Sequence, residues 1–555
     1  METKDKKVLG IRAEDFSKWE RRCPLTPEAC KELLSTIPGF RILVEPSTTR
    51  IFSDIEFARV GCEVSSDLSE CDVILGVKQV PIKKLLPNKT FVFFSHVIKA
   101  QPGNMDMLDD ILEKKIRLID YEKICDAEGK RLVAFGFYAG FVGAVDILHG
   151  LGPFLINRGL ATPFLKVPQV INMVDQAECE ARVGLVGDMI KQNGLPHEIV
   201  PLVIGVSGYG RCGQGALTAL KNLPCVSVKP EDLAKLVEDA KKNPAEFAHN
   251  VYLADLKQEH FVRVKGGAKD AAFDKKHYYE HPELYESRFE EDFLEYISVL
   301  VNCIYWEPKF PRLISSANIK KLEDEKRLRL LGISDVTCDF EGSIEFLRKF
   351  TEIDHPFFVY DPKTDSASDD YKTASSGILY DSIEIMPTEL PLDATRTISK
   401  LLLPFIPSIV NSDISLPLEE QKLSLEIEGA VIALNGELTP RFKYIEKLRK
   451  YNSEFPGTMA VKSDKKTLES NDIHIKMEGH LFDRNSLKKV LDLLIDQGKL
   501  KVSISTLILG QSPTIATNCS LLVENSSEFV ANYQAQVEKI LGEDEIKFQI
   551  VVPSS

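Results

Sequence analysis

From Val203 to Ala216 the chain reads Val-Ile-Gly-Val-Ser-Gly-Tyr-Gly-Arg-Cys-Gly-Gln-Gly-Ala, and an apolar, helix-compatible run follows to Leu220. An apolar strand enters a Gly-x-Gly-x-x-Gly turn at Gly208, Gly210 and Gly213, and a helix leaves it. Each glycine has a physical reason: a tight turn, close backbone approach to a pyrophosphate, and close packing of helix on strand. Phosphates then sit at the helix N-terminus, where free N–H groups and the helix dipole favour negative charge. The glycine pattern alone is a weak signal, but the flanking strand and helix supply the context it demands. The spacing predicts dinucleotide binding by Gly208, Tyr209, Gly210, Arg211, Cys212 and Gly213. The plainer reading is a glycine-rich turn that binds nothing.

With 555 residues the chain is long enough for three or four domains. A formal net charge of -14 argues against a nucleic-acid partner, which calls for a basic face. It leaves room for a local basic pocket. Eleven cysteines without a Cys-x-x-Cys pair point away from disulfide scaffolding and from a metal site. The start, Met-Glu-Thr-Lys-Asp-Lys-Lys, leads into the apolar Val8–Ile11 with no signal-peptide core. No uninterrupted apolar window reaches the ~18 residues of a membrane span. The expectation is a cytoplasmic protein without a membrane partner.

Along the first 135 residues, strand candidates alternate with helices: Lys7–Ile11, Arg41–Glu45, Cys71–Val77, Thr90–Phe94, Ile116–Tyr121 and Arg131–Ala134. This is the rhythm of an open, largely parallel sheet. Residues 138–193 turn helical and rich in glycine and alanine, as a crossing between two α/β domains would. After the glycine turn come strands at Cys225–Val228, Val251–Leu253, Ser298–Ile304 and Leu328–Ile333, with a polar, aromatic segment at Asp270–Glu290 expected to pack. Residues 453–470 read as a linker. The segment Ile473–Val551 reads strand, helix (Asn485–Gln497), strand, strand, helix (Glu528–Leu541), strand. The fold class expected is α/β, with two Rossmann-like domains flanking a cleft and a small C-terminal α+β module. The first lobe takes residues 1–137, completed by about 345–455; the dinucleotide lobe takes 138–344; the module takes 470–555.

Ligands bind in open α/β sheets at the carboxyl ends of strands, and ionisable groups gather there. Lys78 follows one strand end, His96 and then Lys99 another, and Glu122 a third; Glu20 and Arg22 lie in the loop after the first strand, and Arg131 begins the last. Taken singly, a strand-end lysine or arginine reads as a solvated charge and a lone histidine as a structural residue. Their conjunction ahead of a dinucleotide fold points to a shared active site. In the second domain, Asn302 and Cys303 end one strand, and Asp335 with Asp339 the next. They suit a nicotinamide carboxamide, or else simple helix caps. The strand after the glycine helix ends in Val228-Lys229-Pro230 with no carboxylate before Glu231. An acidic residue there would bond the ribose hydroxyls of NAD, so Lys229 favours the 2′-phosphate of NADP, with NAD possible.

Longer segments carry a family likeness. Trp19-Glu20-Arg21-Arg22-Cys23-Pro24-Leu25-Thr26-Pro27, Gly76-Val77-Lys78, Phe94-Ser95-His96-Val97-Ile98-Lys99-Ala100-Gln101, Asp120-Tyr121-Glu122 and Ala134-Phe135-Gly136-Phe137-Tyr138-Ala139-Gly140 resemble the saccharopine-pathway reductases. So do Leu300–Glu307, Ile333–Phe346 and Gly479-His480-Leu481-Phe482-Asp483. The likeness is strongest to lysine–2-oxoglutarate reductase, the first half of the bifunctional aminoadipic semialdehyde synthases, and runs from about residue 7 to 550. The chain holds no second glycine-rich turn, so cleavage of saccharopine is expected to be absent. Tyr209-Gly210-Arg211-Cys212-Gly213 instead resembles the NAD-linked, lysine-forming saccharopine dehydrogenases.

The resemblance implies an alanine dehydrogenase-like N-terminal lobe and an NADPH-dependent condensation of L-lysine with 2-oxoglutarate to give saccharopine. It implies Lys78 and His96 as the acid–base pair, tuned by Glu122. Glu20, Arg22, Lys99 and Arg131 would hold substrate, and Asp339 the nicotinamide carboxamide. A lysine acting as base needs a lowered pKa. Two alternatives stay open: an NAD-linked saccharopine dehydrogenase releasing lysine, and a nucleotide-binding regulator without catalysis.

Overall fold

The computed structural model describes residues 7–267 and 273–454, and in the C-terminal region 473–479, 490, 493–494, 501–508, 517–524, 534–543 and 547–551. The chain divides into two units, Met1–Phe94 with Ile111–Glu437, and Ser95–Asp110 with Leu438–Ser555.

The first unit holds two parallel-cored sheets. Strands β1 (Val8–Ile11), β2 (Arg41–Val44), β3 (Glu63–Val64), β4 (Val73–Leu75), β5 (Thr90–Phe93) and β6 (Arg117–Asp120) lie in the order β6-β5-β4-β1-β2-β3, all parallel. The apolar runs Val-Leu-Gly-Ile and Val-Ile-Leu are buried throughout, as strands covered on both faces must be. Helix α1 (Pro27–Thr36) starts at Thr26, whose hydroxyl accepts the Ala29 N–H (3.2 Å), with Pro27 in its first turn.

Two long helices, α2 (Gly136–Ile156) and α3 (Gln176–Asn193), lead into the second sheet, with short 3-10 turns between them. Its strands are β7 (Leu202–Ser207), β8 (Cys225–Val228) and β9 (Val251–Leu256). After a separate antiparallel pair of β10 (Val262–Val264) and β11 (Tyr285–Ser287) come β12 (Val299–Asn302), β13 (Gly332–Asp335), β14 (Phe357–Asp361), β15 (Ser366–Ser368) and β16 (Ile378–Asp381). The order is β15-β14-β16-β13-β12-β7-β9-β8, parallel from β16 to β8. Between β7 and β8 runs α4 (Arg211–Leu220), against which α2 packs at backbone contact. A Cβ at Gly140 would lie 1.9 Å from the Cys212 carbonyl oxygen, so only glycine allows the crossing.

Three expectations are corrected here. Residues 357–381 do not return to the first lobe: β16 pairs with β13 and β14 with β16, so the second sheet extends to Asp381 rather than ending by 344. The return begins with α5 (Pro391–Leu402), whose apolar face joins the first core, and ends in β17 (Val431–Leu434). Arg131–Ala134 is no strand. β17 already fills the place beside β6, antiparallel, and Asp126–Lys130 folds into a turn closed by one bridge, Cys125 to Arg131. Finally, the strand expected at Leu328–Ile333 starts only at Gly332.

In the second unit, β18 (Ile473–Gly479), β19 (Lys501–Ile508), β20 (Thr517–Glu524) and β21 (Lys547–Val551) form an antiparallel sheet in the order β19-β20-β18-β21. Helix α6 (Gln534–Glu543) accompanies it. The proposed linker beyond 454, the His480–Asp483 motif and most of the Asn485–Gln497 helix lie outside the described residues, as do 268–272.

Candidate active site

In the first sheet the strand order reverses between β1 and β4, which opens a crevice beyond their carboxyl ends. The loop after β1 carries Glu20 and Arg22, 1 % and 2 % exposed. Arg22 grips Glu20 as a fork, Nε to Oε1 at 2.7 Å and Nη2 to Oε2 at 2.6 Å, and its guanidinium lies 4.4 Å from the Phe135 ring centre. The Thr388 hydroxyl, from the segment joining the second lobe back to the first, adds a bond to Glu20 Oε1 (3.0 Å). Burial pushes the Glu20 carboxyl up, but the Arg22 charge and these bonds outweigh it and hold the group below its usual range. The buried pair keeps its charge because it is fully hydrogen-bonded.

Lys78 follows β4, half-buried, its ammonium 5.3 Å from the Phe16 ring centre. Burial, and next the Arg22 charge, hold its pKa below the usual lysine range; Glu20, Glu384 and Glu14 pull the other way. Lys78 and Arg22 thus share one electrostatic neighbourhood with Glu384, which comes from the segment after β16. Glu122 follows β6, its backbone N–H capped by Asp120 Oδ1 (2.8 Å). Its carboxylate pairs with the exposed Arg131. The Arg131 carbonyl in turn accepts from Arg211 Nη2 (3.2 Å) at the glycine turn, so this pair sits where the two lobes meet.

At the end of β7 the glycine turn has the form the sequence demanded. Gly208 has φ +97°, a conformation other residues rarely adopt, and a Cβ on Gly213 would lie 2.0 Å from the Gly208 carbonyl oxygen. A Cβ on Gly210 would meet nothing within 4 Å, and α4 starts there without a side-chain cap. That open space beside uncapped amides fits the pyrophosphate of a dinucleotide.

The strand beside β7 is β9, not β8, which lies at the sheet edge. Lys229 therefore stands one strand too far out to face a ribose bound beside β7, and gives no ground for NADP over NAD. The acidic group at the end of the neighbouring strand is Asp255. It accepts from the Tyr209 hydroxyl of the glycine turn, and its Oδ1 is buried without a hydrogen-bond partner among the described residues. Lys257 lies 5.3 Å from the centre of the Tyr209 ring.

Asn302 and Asp335 are placed differently from the expectation. Both are buried and internally satisfied: Asn302 Nδ2 donates to Asp335 Oδ1 (2.8 Å) and Ser343 Oγ (2.9 Å), the Ser207 hydroxyl donates to Asn302 Oδ1 (2.8 Å), and Tyr380 donates to Asp335 Oδ2 (2.8 Å). They tie strand ends together and offer no group to a nicotinamide. The Cys303 thiol is pushed up by burial, and the Cys212 thiol to about 11 by the same cause, so neither is a poised nucleophile. Half-buried Asp339 and exposed Arg131, from opposite lobes, both act electrostatically on the exposed Tyr305.

His96 and Lys99 fall in the second unit. His96 has φ 54°, in the left-handed region, and its carbonyl accepts from Asn104 Nδ2 (3.0 Å); Lys99 is exposed. Sequence reasoning missed Glu14, Asp255, Thr388 and Glu384. Asp255 alone had a signal, an acidic residue ending an apolar strand.

Residues 10–142 match the model of the alanine dehydrogenase/PNT N-terminal domain. The chain is similar to the α-aminoadipic semialdehyde synthase of Arabidopsis thaliana, 39% identical over 514 residues, covering 91% of this chain and 47% of that protein. It is also similar to the NAD(+), L-lysine-forming saccharopine dehydrogenase of Neurospora crassa, 27% identical over 406 residues, 72% of this chain and 90% of that one. Among solved structures an L-alanine dehydrogenase aligns at TM-score 0.49 and 15% identity, over 80% of this chain and 99% of that chain. The chain spans about half the length of the semialdehyde synthases it matches.

Proposed function

We propose that this chain is a lysine–2-oxoglutarate reductase, joining the lysine ε-amine to the keto carbon of 2-oxoglutarate and reducing the imine to saccharopine. The observation that carries the reading is Lys78: a lysine of lowered pKa, at a strand-order reversal, in the electrostatic neighbourhood of a buried arginine–glutamate pair. Its neutral form takes a proton as the amine adds to the carbonyl, and its charged form returns one as water leaves. Glu122 steadies Arg131, whose exposed guanidinium offers further N–H groups to a substrate carboxylate. Arg22 acts through its charge on Lys78, since two of its donors already serve Glu20. A bound reduced nicotinamide supplies the hydride. The Gly208–Gly213 turn would hold its pyrophosphate, and Tyr209 with Asp255 the adenosine ribose. The similar proteins, a semialdehyde synthase and a saccharopine dehydrogenase, support the substrate class.

Cofactor choice turns on the end of β9. Asp255, with an unpartnered oxygen, favours the ribose diol of NADH; neighbouring Lys257 favours the 2′-phosphate of NADPH. The Asp255 carboxylate is the specific ground for a second reading, an NAD-linked saccharopine dehydrogenase. Oxidation of NADPH and of NADH, each with lysine and 2-oxoglutarate, tests both. Consumption of either nucleotide only when both substrates are present, with saccharopine identified by mass, is the expected result. Nucleotide binding without oxidation would overturn the proposal.

A further inference from the structure

Where β1 and β4 part, one residue of the β1 loop reaches across to the other strand's end. The half-buried Glu14 accepts from two successive backbone amides, Val77 N–H to Oε1 at 2.7 Å and Lys78 N–H to Oε2 at 3.0 Å. Amides leaving a strand end have no ladder partner and need another acceptor. A carboxylate taking both at once fixes the peptide plane between them and the direction in which Lys78 leaves the backbone. The bracket is tightly enclosed: a Cβ at Gly76 would sit 3.2 Å from the Arg12 side chain and 3.4 Å from Glu14 Oε1. The buried Arg12 is itself held to Asp15 by Nη2 (2.8 Å).

We infer that Glu14 is the positioning residue of Lys78, holding through its two carboxylate oxygens the strand-end amides from which the lysine side chain departs. The inference rests on the reading of Lys78 as proton carrier. Glu14 does not touch the reacting atoms in this account; it acts through the loop and through its charge. The ionisable groups around it are Arg12 and Glu20 on its own loop, Cys23 beyond that loop, Lys78 after β4, and Tyr121 after β6, whose buried hydroxyl has no hydrogen-bond partner among the described residues. Burial raises the Glu14 carboxyl to about 7, against the Arg12 charge and the two amides. Near neutral pH it therefore changes charge beside the ammonium it positions, and each group's titration bears on the other's.

Glu14→Gln keeps the side chain's bulk, but its NH2 must face one of the two amides, so one bond is lost. The expected result is a fall in kcat of about 10- to 100-fold with KM for 2-oxoglutarate changed less than about twofold, as for a misplaced catalytic group. Nucleotide affinity stays unchanged. A second measurement does not need turnover: the pH dependence of Lys78 labelling by an amine-selective reagent, read by peptide mass spectrometry. In the wild type the labelling profile should show an extra step near pH 7, where Glu14 ionises. In the variant that step should vanish and the main midpoint move to lower pH, because a negative charge near the ammonium is gone. A folded variant with an unchanged labelling midpoint overturns the inference, even if kcat falls. If the wild type turns nothing over with lysine and 2-oxoglutarate, the reaction assignment fails, while labelling still decides the role of Glu14.

Discussion

The two sheets of the first unit meet their cleft in different ways. At the β1/β4 reversal charged side chains gather: Lys78, Glu20 and Glu14, each shifted by burial or by its neighbours, and Arg22, forked onto Glu20. At the β7/β12 reversal the side chains are turned inward into the Asn302, Asp335 and Ser207 network, and what faces outward is backbone. On the proposed reading, one sheet moves protons and the other holds phosphates. Substitutions in the first should change chemistry at constant fold, and in the second should change binding through added volume.

The largest contrast is expected from Lys78→Met, which should lower kcat by about 10² to 10⁴-fold, the range for a lost acid–base group. Nucleotide affinity by fluorescence titration should not move; a joint loss of both would erase the division of labour. On the other side, Gly213→Ala places a Cβ 2.0 Å from the Gly208 carbonyl and should abolish nucleotide binding. Gly210→Ala has open space in the free protein, so melting temperature should hold while the dissociation constant rises about 10-fold or more, the added methyl standing where the pyrophosphate approaches. Equal loss of melting temperature in both variants would refute this distinction.

Asp255→Ser sharpens the comparison within the second sheet. Removing the carboxylate should shift the kcat/KM ratio toward NADPH by about 10-fold, the scale set by one buried unpaired acceptor; no shift would move the ribose elsewhere. A smaller effect belongs to Thr388→Val, which takes one hydrogen bond from Glu20 and should lower kcat/KM by about two- to fivefold, in line with about 0.5–1 kcal/mol.

Not every buried acid serves the cleft. Asp146 of α2 and Glu389, just before α5, accept from Val170 N–H (2.9 Å) and from Gln169 and Ile171, and their buried carboxyls act directly on each other. Burial raises Asp146 to about 7 and Glu389 well above its usual range. A carboxyl whose folded pKa is raised adds stability below its unfolded pKa and loses it as pH climbs through about 7. Asp146→Asn should accordingly melt higher than the wild type at pH 8.5, with the difference shrinking toward pH 4–5. A gap independent of pH would show that Asp146 stays ionised.

Much of this was legible in the sequence because it is local. The glycine turn, the Thr26-Pro27 helix start and the strand-end positions of Lys78 and Glu122 depend on neighbours within a few residues. What escaped depends on strand order. Reading β8 as the neighbour of β7 because it comes next in the chain gave Lys229 a role that the proposed site gives to the end of β9. The same blindness assigned 357–381 to the wrong sheet and made a strand of Arg131–Ala134, since no local signal tells that β17 occupies that edge. Glu14 was invisible for a related reason. Its partners lie more than 60 residues away, at |i−j| of 63 and 64, and a glutamate in a polar loop has no periodicity to mark it.

The most direct test of the division between the lobes is a crystal structure of the chain with oxidised nicotinamide nucleotide and saccharopine. The account predicts the pyrophosphate on the Gly208–Gly213 amides, and Lys78 Nζ within about 3.2 Å of the bridging secondary amine or of one water bound to it. Saccharopine lodged with Lys78 beyond that reach, or the pyrophosphate away from the glycine turn, would contradict it.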